Sequence, residues 1–407
     1  MTVPFDLTDP AFHRDPYPVY RALRAAGPAV PTPYGSWVVT RFAEVSALLR
    51  DPRLGADFPA DPRWAARHGG PGSRAVRDGR HWMLLTEGAG HRALRRAFAP
   101  HLAPRTVADR AHRVTAQAAT AVDRLDPATP VDLVADLAEP VVAASVCDLL
   151  GLPGTDGARC AAWAADISRM TDPVAGPDVR DRVETALTEF GAHIETLAAQ
   201  GRVHGVSAAL LRGAAHDGLS TEAVLANLVM LAMAATDTTV SQITLAVLAL
   251  LRHPDQLAAA TADPDLARRS VAEFTRYDGP VHIVTRRATE PLELGGATVE
   301  AGAKVMLCLA AAGRDPGRCP DPDRLDLRRQ NVPTLPFGDG PHYCLGSHLG
   351  RLVTGHTLSA LLRRFPSLAP ARSLDSLDWR PSVVARRPET LPVLLAGGPG
   401  PRTSSTR

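Results

Sequence analysis

The stretch Pro336 to Gly346, PFGDGPHYCLG, sets one cysteine among glycines, with a histidine two residues ahead of it. A helical stripe of leucines, Leu345, Leu349, Leu352, Leu358, Leu361 and Leu362, begins at once, so Cys344 falls at a helix start. Unpaired N–H groups and the helix dipole at such a place favour a thiolate over a thiol. Gly338, Gly340 and Gly346 permit backbone conformations closed to other residues and let a large flat ligand approach closely. A charged sulfur needs a counter-charge, a metal or hydrogen-bond donors. Iron held by a single axial thiolate meets that need, and electron donation from the sulfur favours O–O cleavage. Two plainer readings compete. A lone cysteine is most often a small buried hydrophobe. His342, Cys344 and His348 could also imitate a zinc site, but zinc wants four ligands, and no second Cys or His pair stands at suitable spacing nearby.

Three other groupings could do chemistry or support it. Glu273 and Arg276, in EFTR, lie three apart on a predicted helix and can meet on one face, as such pairs do on many surface helices. His91 and Arg95, in HRALR, have i, i+4 spacing; seen alone they read as a solvated basic face. The cluster AATDTT, Ala234 to Thr239, interrupts a long apolar run with a carboxylate and hydroxyls that are costly to bury without partners. Its plain reading is a helix whose threonines bond back to the preceding turn.

The elements that must position these residues are mostly helical. The stretch Asp15 to Pro52 reads as helix, strand, helix, and Ala65 to Arg80 reads as a long Gly- and Arg-rich loop. Helical periodicity then fills Glu87 to Gln256, broken at DPATP, GLPGTDG and HDGLS. Its dominant feature is Thr221 to Arg252, with Ser220 as N-cap. That run is long enough to suggest a membrane span, but the central TDTT favours the core helix of a large soluble protein. Short strands follow at VHIVTRRAT, LELGGATV and KVMLCLAAAG, then an irregular stretch from Gly313 to Pro336. The last residues, GGPGPRTSSTR, read as a polar disordered tail.

Composition bounds the function. The chain has 407 residues, 45% hydrophobic and 22% charged, with a net charge of +2, so neither nucleic acid nor an anionic membrane is indicated as a partner. Five widely spaced cysteines without a C-x-x-C pair fit a reducing cytoplasm. The N-terminus has no basic region followed by an apolar one, so no signal peptide or membrane anchor is expected.

The stretch FGDGPHYCLGSHLGR resembles the haem-ligand loop of the cytochrome P-450 family, Phe-Gly-x-Gly-x-His-x-Cys-x-Gly, and all six specified positions, Phe337 to Gly346, match. The resemblance runs from about Asp9 to Leu395 in the family's motif order. It implies a mainly α (α+β) fold: one triangular domain over residues 1–396, helix-rich with a small β-rich lobe. It implies haem b (iron protoporphyrin IX), with Cys344 as axial thiolate, Phe337 and Gly346 beside it, and His91, Arg95, Arg286 and His342 on the propionates. Arg287 stands next to Arg286 and competes for that assignment. Asp237 and Thr238 match the family's acid and alcohol pair, which relays protons on the distal side. Glu273 and Arg276 match its structural E-x-x-R pair, for which PDPDRLD supplies Arg324 as third member. The chain departs from the family in two places: Ala235 stands where glycine is common, and TEGAGH lacks the usual prolines before His91.

The implied activity is that of a soluble bacterial monooxygenase. It would use dioxygen, with electrons from a ferredoxin and an NAD(P)H-dependent ferredoxin reductase, to hydroxylate a small lipophilic substrate. A secondary-metabolite intermediate, as in antibiotic biosynthesis, suits the segments expected to contact substrate, which are mostly apolar apart from the first, the Arg-rich loop: Ala65 to Arg80, Asn227 to Ala234, Val281 to Thr285 and Val383 to Arg386. Arg92, Arg96 and Arg351 are expected to face the ferredoxin. Epoxidation and oxidative coupling share this machinery. A peroxide-driven peroxygenase would not need Asp237 and Thr238, and a non-catalytic haem sensor would bind without turnover.

Overall fold

The computed structural model describes residues 5–171, 176–332 and 335–396; the expected tail, 397–407, lies outside them. Helices dominate, and the sequence accounts for how the main one begins. Ser220 accepts a hydrogen bond from the Ala223 N–H and so caps the helix Thr221–Arg252. Every residue of that helix from 223 to 251 is buried except Ala234, Ala235 and Thr238. It is long and apolar enough to cross a membrane by composition alone. Here it is the core rod, packed by the helices Glu139–Leu150, Gly157–Ser168, Pro177–Ala199, Val271–Asp278 and Ser347–Arg364.

The β-rich part is a five-stranded sheet in the order Val30–Pro31, Ser36–Val39, Lys304–Cys308, Ile283–Ala288, Leu54–Gly55. Lys304–Cys308 pairs parallel with Ser36–Val39 and antiparallel with Ile283–Ala288. The alternation of the latter strand puts Arg286 and Arg287 on opposite faces; Arg286 is buried and Arg287 half-buried.

Two expectations need correction. The segment 65–80 is not a continuous loop but carries two short helices, Pro62–Arg67 and Arg74–Gly79. Side-chain caps rather than periodicity define them. Asp61 caps the first and Ser73 the second, and the Glu184 carboxylate, far off in sequence, accepts from the Arg74 and Ala75 N–H groups. The strand expected over KVMLCLAAAG stops at Cys308, and Leu309–Gly313 is helical, as its run of alanines favours.

A buried charged cluster ties the N-terminal helices to the C-terminal turn. Asp278 accepts from Tyr17 Oη at 2.9 Å and from Arg386 at 2.8 Å, and it lies 3.3 Å from His282 Nε2. Arg314 lies between the rings of Tyr17 and Tyr277. Burial would raise the Asp278 pKa, but Arg386, then His282 and Arg314, outweigh it and hold the carboxyl well below its usual range. Burial pulls His282 down to about 4, partly offset by Asp278.

Both shifts act in the same direction. The unfolded chain binds more protons than the folded one below the ordinary histidine pKa, and again below the ordinary carboxylate pKa, so stability falls on acidification. For His282 the loss begins below about 6.5, is complete by about 4 and is on the order of 3 kcal/mol. Urea unfolding at pH 7 and pH 4.5 should show this loss, and His282→Gln should flatten it. An unchanged pH slope in the variant would refute the assignment.

Candidate active site

Cys344 is positioned by its own loop. Its N–H donates to the Phe337 carbonyl at 2.9 Å, and the two glycines between them carry positive φ, Gly338 at 72° and Gly340 at 67°. A Cβ on Gly340 would stand 2.7 Å from the Leu49 carbonyl oxygen, so the loop docks on the helix Phe42–Leu48 only because that residue is glycine. The Cys344 side chain has accessible surface, yet protein walls it closely. That burial raises the thiol pKa, while the Gly346 N–H, Arg95 and Arg351 pull it down. The expected thiolate preference of the helix start is therefore outweighed in the free protein, and a metal at the sulfur would replace the proton outright. Arg351, expected on the ferredoxin face, instead stacks over Phe337 at 4.4 Å.

The central helix offers Ala234, Ala235 and Thr238, its three accessible residues between 223 and 251, which share one face. Thr238 Oγ1 donates to the Ala234 carbonyl at 2.6 Å, so the expected back-bonding occurs. Asp237 points elsewhere. Its Oδ1 accepts from Arg380 Nη1 at 2.6 Å and its Oδ2 from Ser168 Oγ at 2.6 Å, both within the protein interior.

The cations expected at the propionates converge. His91 and His342 rings lie 4.4 Å apart. His91 is buried, its Nε2 has no partner among the described residues, and burial, then His342 and Arg95, lower its pKa to about 4. Burial also lowers the pKa of Arg95 and of Arg286, whose side chain donates to the Thr285 carbonyl. Glu87, which the sequence reading missed, stands beside them and accepts from His342 Nε2 at 3.0 Å and from the Ala56 N–H. A group bearing carboxylates on its rim and a metal at its centre fits these residues: the cations are desolvated and short of anions, and one carboxylate already sits at His342.

The structural cluster behind the site differs from expectation in one member. Glu273 and Arg276 form a buried two-point pair at 2.7 and 2.8 Å, as expected. The third member is Arg329, whose Nε lies 3.1 Å from Glu273 Oε1. Arg324 is exposed and contributes only its carbonyl, which accepts from Arg276 and Arg329. The stretch from Gly313 has no period, so nothing local tells which arginine turns inward.

Two residues at the ends of segments expected to contact substrate, Asn227 and Arg386, are engaged by the protein itself. Asn227 donates to the His81 carbonyl and accepts from the Met83 N–H, pinning the central helix to the preceding loop. Arg386 is spent on Asp278.

Comparison with known proteins agrees with this geometry. The family model described as Cytochrome P-450 matches residues 178–393. The chain is 36% identical to cytochrome P-450 monooxygenase PikC of Streptomyces venezuelae, over 94% of this chain and 91% of that one. It is 31% identical to 6-deoxyerythronolide B hydroxylase of Saccharopolyspora erythraea, over 97% of this chain and 100% of that one. Its structure superposes on that of CalO2 with a TM-score of 0.91 at 31% identity, covering 98% and 100% of the two chains.

The corrected cluster gives a direct test by thermal or urea unfolding. Arg329→Gln should cost about 1–3 kcal/mol, because it removes a charged hydrogen bond to a buried carboxylate. Arg324→Gln should stay within about 0.5 kcal/mol. The reverse order would restore Arg324 as the third member.

Proposed function

The chain belongs to the cytochrome P-450 family of monooxygenases, and from that premise we propose that it hydroxylates a lipophilic small molecule, a secondary-metabolite intermediate by class. The observation that carries this reading is that the accessible patch in the middle of a 32-residue core helix ends in Thr238, in a chain whose one accessible cysteine, Cys344, lies in a matching haem-ligand loop. Two relatives support the class of reaction: PikC is named a monooxygenase, and the name of the second says that it hydroxylates 6-deoxyerythronolide B.

Residues 1–396 are read as one cytoplasmic haem-thiolate domain. Haem b, when bound, would supply the electron and oxygen chemistry that no side chain here possesses. The chain's own residues then have separable tasks. Cys344 would hold the metal as a thiolate, with the Gly346 N–H, Arg95 and Arg351 offsetting the charge of its sulfur. His91, Arg95, Arg286 and His342 would hold the two propionates beside Glu87, which accepts from His342. Phe337 and Arg351 form a stacked floor beside the sulfur.

On the other side, Ala234 and Ala235 present only methyl groups, which admit an apolar substrate and exclude bulk water. Thr238 is the one hydroxyl on that face, and it hands protons into the cleft while Asp237 sets the charge behind it. The Ala235 methyl narrows this space where relatives commonly have glycine. Electrons come from a ferredoxin and its NAD(P)H-dependent reductase. Arg92 and Arg96, exposed at i, i+4 spacing, provide the docking face, whose contribution should weaken with salt.

Reconstitution with a ferredoxin, its reductase, NADPH and isotopic dioxygen, using compounds selected by a Soret shift, should yield a product with one labelled oxygen. Thr238→Ala should lower product per NADPH by roughly tenfold or more and raise peroxide release. Turnover driven by peroxide but not by NADPH would instead establish a peroxygenase.

A further inference from the structure

Asp237 and Thr238 are neighbours in sequence but not on the helix surface, because successive residues point in different directions. Asp237 is turned toward Ser168 and Arg380, which take both of its oxygens. Thr238 already donates its hydroxyl hydrogen bond to the Ala234 carbonyl. A hydroxyl has one proton to donate and two lone pairs, so Thr238 in this arrangement is an acceptor in want of a donor. With the ion pair closed, Asp237 is not that donor.

One turn further along the helix, on the face of Thr238, stands Gln242. It is 6% exposed, and neither Nε2 nor Oε1 has a partner among the described residues. The hydroxyl of Ser241 beside it is buried and likewise without one. The face continues with Leu245, Ala246 and Ala249, all buried. An apolar side chain at 242 would be the stable choice, since a buried amide left unpaired destabilises the fold. Local rules are broken in this way mainly at functional positions. Buried polar groups without protein partners bind ordered water, and the Gln242 amide offers both donors and an acceptor for it.

We propose that Gln242 is a positioning residue for proton delivery, holding water within reach of the Thr238 hydroxyl. That water donates a hydrogen bond to Thr238 Oγ1, whose own hydrogen stays on the Ala234 carbonyl, and any proton the water passes onward is replaced from solvent. The amide neither ionises nor is consumed. This rests on the monooxygenase reading above.

Gln242→Met keeps the length of the side chain and removes the amide. In the haem-loaded protein its Tm should stay within about 2–4 °C of the wild type, because the amide it loses is held by water alone. With myristic acid as a lipophilic test compound, peroxide released per NADPH should rise about threefold or more, and the H2O/D2O rate ratio should change. A crystal structure of the wild type should show water on the Gln242 amide that the variant lacks. A Tm lower by more than that, an amide bonded only to protein, or unaltered peroxide release and isotope ratio would each overturn the proposal. A reduced carbon monoxide spectrum without a thiolate signature in the wild type would instead defeat the monooxygenase reading, while Tm and the water would still judge the amide.

Discussion

The role proposed for Cys344 asks its sulfur to carry charge in a place where burial opposes charge, and the surrounding residues are arranged about that conflict. Cys344 is walled closely enough that its thiol pKa rises, and what offsets this comes from three separate places. The loop's own turn brings the Gly346 N–H, one helix brings Arg95 and another brings Arg351. Even together they leave the thiol pKa raised, so a metal at the sulfur would have to displace the proton. The positive φ at Gly338 and Gly340, with the close approach of Gly340 to Leu49, fixes where the sulfur stands relative to those cations. The Glu273, Arg276 and Arg329 cluster holds the chain that delivers the loop, binding the carbonyls of Gly313, Pro322 and Arg324 as well as its own charges. Breaking a buried pair of this kind typically costs about 3–5 kcal/mol.

The central helix obeys the same rule for buried polar groups. It is mostly apolar, and several of its polar exceptions have a specific resolution. Thr236, Thr238 and Thr244 bond back to carbonyls four residues earlier. Asp237 is neutralised by Arg380 and Ser168, which also fastens the end of the helix Gly157–Ser168 and the C-terminal turn to the middle of the core. Ser241 and Gln242 have no such resolution among the described residues. The contrast between a satisfied carboxylate and an unsatisfied amide, five residues apart, is what sets Gln242 apart from Asp237.

Much of this was legible in sequence where the signal is local. The haem-ligand loop, the E-x-x-R pair, the H-x-x-x-R pair and the long core helix each lie within one element and one turn geometry. Arg286 was separable from Arg287 only through strand alternation, which needs the strand's register. What could not be read depends on distant partners. Asp237 and Arg380 are 143 residues apart, and Glu184 caps a helix 110 residues before it. Arg329 and Arg324 lie in the same aperiodic stretch, and only the path of the backbone decides which offers a side chain and which a carbonyl. Glu87 was visible as part of a departure from the family pattern, but its contact with His342 spans 255 residues.

The central claim is that Cys344 is the haem ligand, and the most direct measurement is the carbon monoxide difference spectrum of the reduced protein, wild type beside Cys344→Ser. The account requires a strongly red-shifted Soret band in the wild type that is lost in the variant. A wild-type protein without haem, or a spectrum indifferent to Cys344, would contradict it.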